Sequence, residues 1–177
     1  MFKALSRLFG KKKIDQTTDV RARIQSLEIC DLKDSGEAIE IRIAKIMLFL
    51  VGKQILAMDL ELEAVPAHEP YLTKNSRGYL LGIADGIIIH ENKKLDRKFV
   101  DFIRESAFIL VFGRQSGPPL ARQTIAEFSP GSGLAQGYVV GTQEVETIFF
   151  GDGFGIAHGC GFEMFLSQAQ AGATNVH

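Results

Sequence analysis

The sequence predicts an all-α protein, and three observations carry that expectation. Long stretches rich in Leu, Met, Ala and Lys favour helix. Clusters of Gly and Pro separate those stretches. Gly78, Gly82 and Gly86 recur every fourth residue, which places them along one face of a helix. An α+β fold is the alternative, because Ile39, Ile41 and Ile43 alternate with Glu40 and Arg42, and Met58, Leu60 and Leu62 alternate with Asp59, Glu61 and Glu63. Period-two alternation is the mark of a strand.

The first stretch is MFKALSRLFG. Phe2, Leu5 and Phe9 fall on one helical face; Lys3 and Arg7 lie off it, and Lys11, Lys12 and Lys13 follow. Apolar on one side and basic on the other is the pattern of a short helix lying on an anionic membrane. The competing reading is a solvated basic start with no role. Residues 1–16 are therefore read as a basic amphipathic segment and linker, 17–171 as a single helical domain, and 172–177 as a loose tail.

Within the domain, Thr17, Thr18 or Asp19 is placed to cap a helix running to about Leu32, with Val20, Ile24 and Leu27 inward. Asp34 and Glu37 have capping-box spacing for the next helix. From Glu37 the chain is so apolar that a largely buried helix is expected, extending towards Pro66. The stretch Gly78-Tyr79-Leu80-Leu81-Gly82-Ile83-Ala84-Asp85-Gly86 follows a loop at 73–76. A glycine inside a helix costs about 1 kcal/mol relative to alanine. Three in register imply a compensation: a second backbone packed closely against that face. The bland alternative is that Gly82 or Gly86 ends a helix.

The next helix is expected from Leu95 to Phe112, ended by Gly113. Residues 114–133 contain Pro118, Pro119, Pro130, Gly117, Gly131 and Gly133 and read as a long loop with a short helical turn near Ile125 and Phe128. A helix from Leu134 to Phe150 follows, then a glycine-rich joint and a last amphipathic helix with Phe162, Phe165, Leu166 and Ala169 inward.

The helix at 134–150 carries an echo, Gly137-Tyr138-Val139-Val140-Gly141-Thr142-Gln143-Glu144. Both motifs read Gly-Tyr-apolar-apolar-Gly with an acid three positions later. The apolar run Ile46–Gln54 also parallels Phe108–Gln115. Residues 38–97 and 98–158 are thus expected to be two copies of a helix–loop–helix unit, related by a pseudo-twofold axis. Gly78, Gly82 and Gly86 would meet Gly137 and Gly141, forming a packing seam or a groove for a partner helix, with Asp85 and Glu144 in equivalent places.

Composition bounds the function. Hydrophobic residues make up 46% and charged residues 23% of the chain, which permits a real core. Residues 1–13 hold five cations and no acid, leaving 15 basic against 21 acidic residues elsewhere. An acidic body argues against nucleic-acid binding, which needs a basic face. Cys30 and Cys160 match no metal spacing and read as free thiols of a reducing compartment. No run reaches the ~18 apolar residues of a membrane-crossing helix, and no secretory signal is evident.

Catalytic and cofactor motifs are missing. Gly151-Asp152-Gly153-Phe154-Gly155 fits neither the phosphate loop nor the dinucleotide fingerprint, and there is no HExxH, GxSxG or CxxC. Cys160 beside His158 is no proof of a nucleophile, and His68, His90 and His177 lack partners at metal-ligand spacing. Asp85 and Glu144 are weak candidates for metal ligands or an acid–base pair, because bundle sites add Glu-x-x-His; solvated positions near helix ends are expected instead. Ala84-Asp85-Gly86, with Ile88 and Glu91, resembles the acidic turn of the tellurite-resistance TerB-like helical domains over about eight residues. The apolar Ile87–Ile89 and the Glu144-Val145 pair depart from that pattern, so no membership and no metal residue follow.

The expectation is therefore a cytoplasmic, non-enzymatic interaction, scaffold or adaptor protein with no cofactor. Its partners would be a protein and, through Phe2, Lys3, Leu5, Arg7, Phe9, Lys11, Lys12 and Lys13, the inner face of an anionic membrane. The alternative is a metal-binding or enzymatic helical bundle using Asp85 and Glu144.

Overall fold

A computed structural model describes residues 16–32, 36–68, 71–91 and 95–150. The fold is all-α, with no strand among the described residues. Six α-helices run in chain order: α1 (Gln16–Gln25), α2 (Ile39–Met47), α3 (Lys53–Ala57), α4 (Lys74–His90), α5 (Arg97–Glu127) and α6 (Ala135–Phe150). A single 3-10 turn, Ile29–Leu32, follows α1, so the first helix is shorter than its apolar pattern suggests. Within it Ile24 is buried; Arg21 pins it to the end of α3 by donating to the Leu56 carbonyl at 2.7 Å and to Asp59 at 2.7 Å.

Helices α2 and α3 are joined end to end by a π-helical turn, Leu48–Gly52, which is wholly buried. The alternation at Ile39–Ile43 is helical, not extended: Ile43, Ile46, Met47, Leu50, Val51 and Ile55 form the centre of the core. Asp34 of the expected capping box lies outside the described residues; the cap of α2 is Ala38, which makes no side-chain bond. The helix also stops at Ala57 instead of continuing towards Pro66. Residues 58–65 are irregular, with Asp59 (φ 56°) and Glu63 (φ 62°) in the left-handed region. The second alternating stretch, 58–63, is thus neither helix nor strand.

Helix α4 begins with a reciprocal cap. Thr73 Oγ1 accepts from the Ser76 amide at 3.0 Å, and Ser76 Oγ accepts from the Thr73 amide at 2.9 Å. Helix α5 is capped by Asp96, whose Oδ1 accepts from the Phe99 amide at 2.8 Å. Asp96→Ala is expected to cost about 1 kcal/mol in a denaturant titration, the usual value of such a cap.

The main departure from the sequence expectation lies in α5. Gly113 does break the helix, with φ 76° and ψ 176°, but residues 114–127 resume it instead of forming a long loop. Pro118 and Pro119 lie in the second turn after the restart, where each removes one i→i−4 donor, to the carbonyls of residues 114 and 115, without ending the helix. Ion pairs tie both halves of α5 to α4: Arg77 meets Glu127 at 2.8 Å and Arg104 meets Asp85 at 2.7 Å. A Gln123 hydrogen bond first, then Arg77, holds the Glu127 carboxyl below its usual range. Arg42 of α2 forms a bidentate pair with Glu91, whose side chain is fully buried, and so ties α2 to the C-terminal end of α4.

Candidate functional site

The two Gly-Tyr motifs meet. Helices α4 and α6 pack along their glycine faces, and α4 is the principal neighbour of α6 among the described elements. A Cβ placed on Gly78 would lie 2.1 Å from the Leu134 carbonyl oxygen, and one on Gly137 would lie 1.9 Å from that of Asn75. On Gly82 it would lie 2.2 Å from the Tyr138 oxygen, and on Gly141 2.3 Å from the Tyr79 oxygen. At Gly86 the neighbour is the side chain of Val145, at 2.9 Å. Every obstacle but the last is main chain, so the two backbones touch.

The order of these contacts shows that α4 and α6 run parallel. Gly78 faces Leu134 and Tyr138, and Gly86 faces Val145 further along. The contacts are also reciprocal under one constant shift in numbering. Moving from Gly78 and Leu134 by 59 positions up and down, respectively, gives Gly137 and Asn75; the same shift turns Gly82 and Tyr138 into Gly141 and Tyr79. Two equivalent helices therefore lie side by side, in register, about a local pseudo-twofold axis.

The symmetry extends to the polar groups. Tyr79 of α4 donates its hydroxyl to Glu144 of α6 at 2.5 Å, and Tyr138 of α6 donates to Asp85 of α4 at 3.3 Å. Each tyrosine reaches the acid of the opposite motif. Thr142 completes the seam, its hydroxyl donating to the Tyr138 carbonyl at 3.0 Å and lying 3.4 Å from that of Gly82.

The two halves differ in burial. Tyr79 is fully buried and Glu144 is 5% exposed. Buried Gln54 of α3 donates to the Tyr79 hydroxyl at 2.9 Å and to the Leu50 carbonyl inside the π-helical turn. In the other half, Asp85 is only partly buried and shared with Arg104, and Phe128 packs on the Tyr138 ring with centroids 4.6 Å apart. Burial first, then the Asp85 carboxylate, pushes the Tyr138 phenol above its ordinary range, so it stays a donor.

These positions correct two expectations. Asp85 and Glu144 are not solvated helix-end residues; both are committed to bonds across the seam, and Glu144 is core. Nor do they come together as a paired site, since each is bonded to a tyrosine of the other helix. Among the described residues no group of three His, Cys, Asp or Glu side chains is placed to hold a metal ion. The glycine faces are filled by one another, which leaves no open groove there for a partner helix.

Sequence reasoning missed Gln54 and Arg42, which looked like polar interruptions of apolar runs, and Glu91, which stands in the polar stretch His90–Lys94 that reads as a solvated corner. Only their burial reveals them. Cys30 is an exposed free thiol. Residues 1–13, Cys160 and the helix expected around Phe162–Ala169 lie outside the described residues, and no helix among the described ones is long and apolar enough to cross a membrane. No family model, curated protein or solved structure matches the chain.

Proposed function

We propose that the chain is a non-enzymatic interaction protein of the cytoplasm, with a helical body held at an anionic membrane surface by residues 1–13 and presented there to a protein partner. The observation that carries this reading is the division of charge: five cations and no acid in residues 1–13, against an acid excess over the rest. Each basic residue near an anionic surface contributes about 1 kcal/mol, and Phe2, Leu5 and Phe9 add apolar insertion. An acidic body is repelled by the same surface, which leaves its faces turned towards other proteins.

The chemistry of the seam supports a binding role over a catalytic one. Asp85, Glu144, Tyr79 and Tyr138 satisfy one another inside the helix pair, with Arg104 and Gln54. A general acid or base has to face a substrate, and these side chains face each other. With the glycine faces closed, a partner would bind the outer helix surfaces.

Vesicle co-sedimentation tests the membrane half of the reading. The full chain should sediment with vesicles containing phosphatidylserine and stay in solution with pure phosphatidylcholine. Deleting residues 1–13 should abolish sedimentation, and raising the salt should weaken it. Equal sedimentation of the shortened chain would refute membrane docking by this segment.

A further inference from the structure

Helix α6 is held to the described body by one face. Among the described elements only α4 packs on it extensively, through the glycine seam and the two tyrosine–acid bonds. Gln136, Val139, Gln143 and Glu146 on its other side are exposed. The pairs that tie the remaining helices together, Arg21–Asp59, Arg77–Glu127 and Arg104–Asp85, do not pass through α6.

The connection into α6 is short and has to turn. Glu127, at the end of α5, pairs with Arg77, and the Leu134 carbonyl lies against Gly78, so the seven residues 128–134 leave and return beside the first turn of α4. The Ser132 amide donates to the Ser129 carbonyl at 2.9 Å, and Gly131 takes φ 84° to close the turn. Short connections of this kind are where two copies of a chain exchange an element.

The seam itself is suited to exchange. Its contacts are reciprocal under one shift in numbering, as those of a twofold dimer interface are reciprocal between copies. None of them depends on which chain supplies α6. In a pair of chains that cross their α6 helices, two complete seams form and only the path of residues 128–134 changes. The energy of the seam therefore cancels between the closed single chain and the crossed pair, and the connection and the concentration set the balance.

We infer that α6 is an exchangeable arm and that its partner is a second copy of this chain: each copy seats Gly137, Tyr138, Gly141 and Glu144 on the α4 of the other. Such a pair carries residues 1–13 twice, so any surface that binds one segment is gripped by two.

Co-refolding isotope-labelled and unlabelled full-length chains at millimolar concentration tests the exchange. Filtered nuclear Overhauser spectra should connect the Gly86 α-protons of labelled chains to the Val145 methyl groups of unlabelled ones. Light scattering should find a species of twice the single-chain mass whose share rises with concentration. Gly131→Pro should shift the balance, because proline holds φ near about −65° and cannot follow the closed turn at φ 84°, while no neighbour crowds Gly131. The closed chain loses its turn and the pair keeps both seams, so the dimer dissociation constant should fall at least tenfold. Absence of contacts between copies in the co-refolded native sample would overturn the inference. So would a Gly131→Pro protein that folds with an unchanged dissociation constant, or dimers in which the Gly86–Val145 contact stays within one chain. If Gly131→Pro does not fold, the native mixture decides the matter.

Discussion

Gly82→Leu is expected to unfold the protein or to destabilise it by well over the ~1–3 kcal/mol typical of overpacking. The first atom of the new side chain would lie 2.2 Å from the Tyr138 carbonyl oxygen, and that oxygen belongs to the backbone of α6. A flexible side chain could swing aside; a helix backbone moves only by separating α4 from α6 along the whole seam. That separation would also break the Tyr79–Glu144 and Tyr138–Asp85 bonds. Domains of this size are usually stable by only ~5–15 kcal/mol, so such a loss is large. Gly131→Ala is the control. Gly131 has φ 84° but open space around its Cα, so alanine should cost only the left-handed penalty, about 1–2 kcal/mol. Thermal melts followed by circular dichroism would separate the two cases. Equal, small effects would mean that α4 and α6 are not in backbone contact.

Tyr79→Phe is expected to cost about 2–3 kcal/mol in urea unfolding, and Tyr138→Phe about 0.5–1.5 kcal/mol, though both remove one hydroxyl from equivalent positions. Tyr79 is fully buried and serves two buried partners, the Gln54 amide and the Glu144 carboxyl. Removing its hydroxyl takes one bond from each, and a buried polar group that loses a bond without regaining water pays part of its desolvation cost. Tyr138 reaches Asp85 at a longer distance, in a half-buried site where Arg104 already satisfies the carboxylate. Losses of equal size would show that the network around Gln54 contributes nothing beyond the pairwise bonds.

Much of this arrangement was legible in the sequence, and for a physical reason. Glycines every fourth residue have a single geometric consequence on a helix, a bare face, and a repeated bare face implies its own partner. The run from Ile39 was legible as buried helix because composition outweighed its brief alternation. What was hidden depends on packing. Asp85 and Glu144 look like surface acids until α4 and α6 are set parallel and in register; only then does each fall within reach of the opposite tyrosine. Pro118 and Pro119 signal a loop when taken by residue type, yet they sit just past a helix restart that the Gly113 turn creates. Residues 58–63 alternate like a strand, but the Met58, Asp59 and Leu60 amides turn back onto α3 and the Glu63 amide serves the broken helix, none of them a neighbouring strand. Gln54 and Arg42 carry no local signal, since a polar residue in an apolar run is equally consistent with exposure and with a buried bond, and Glu91 is hidden by its polar neighbours, which read as a solvated corner.

The parallel, in-register pairing of α4 and α6 underlies all of these expectations, and nuclear Overhauser contacts from the glycine α-protons test it most directly. The Gly78 α-protons should contact Leu134 and Tyr138, those of Gly82 should contact Tyr138, and those of Gly86 should contact the Val145 methyl groups. Contacts in the reverse order, with Gly86 near Leu134 and Gly78 near Val145, or no contacts between the two motifs, would contradict the seam.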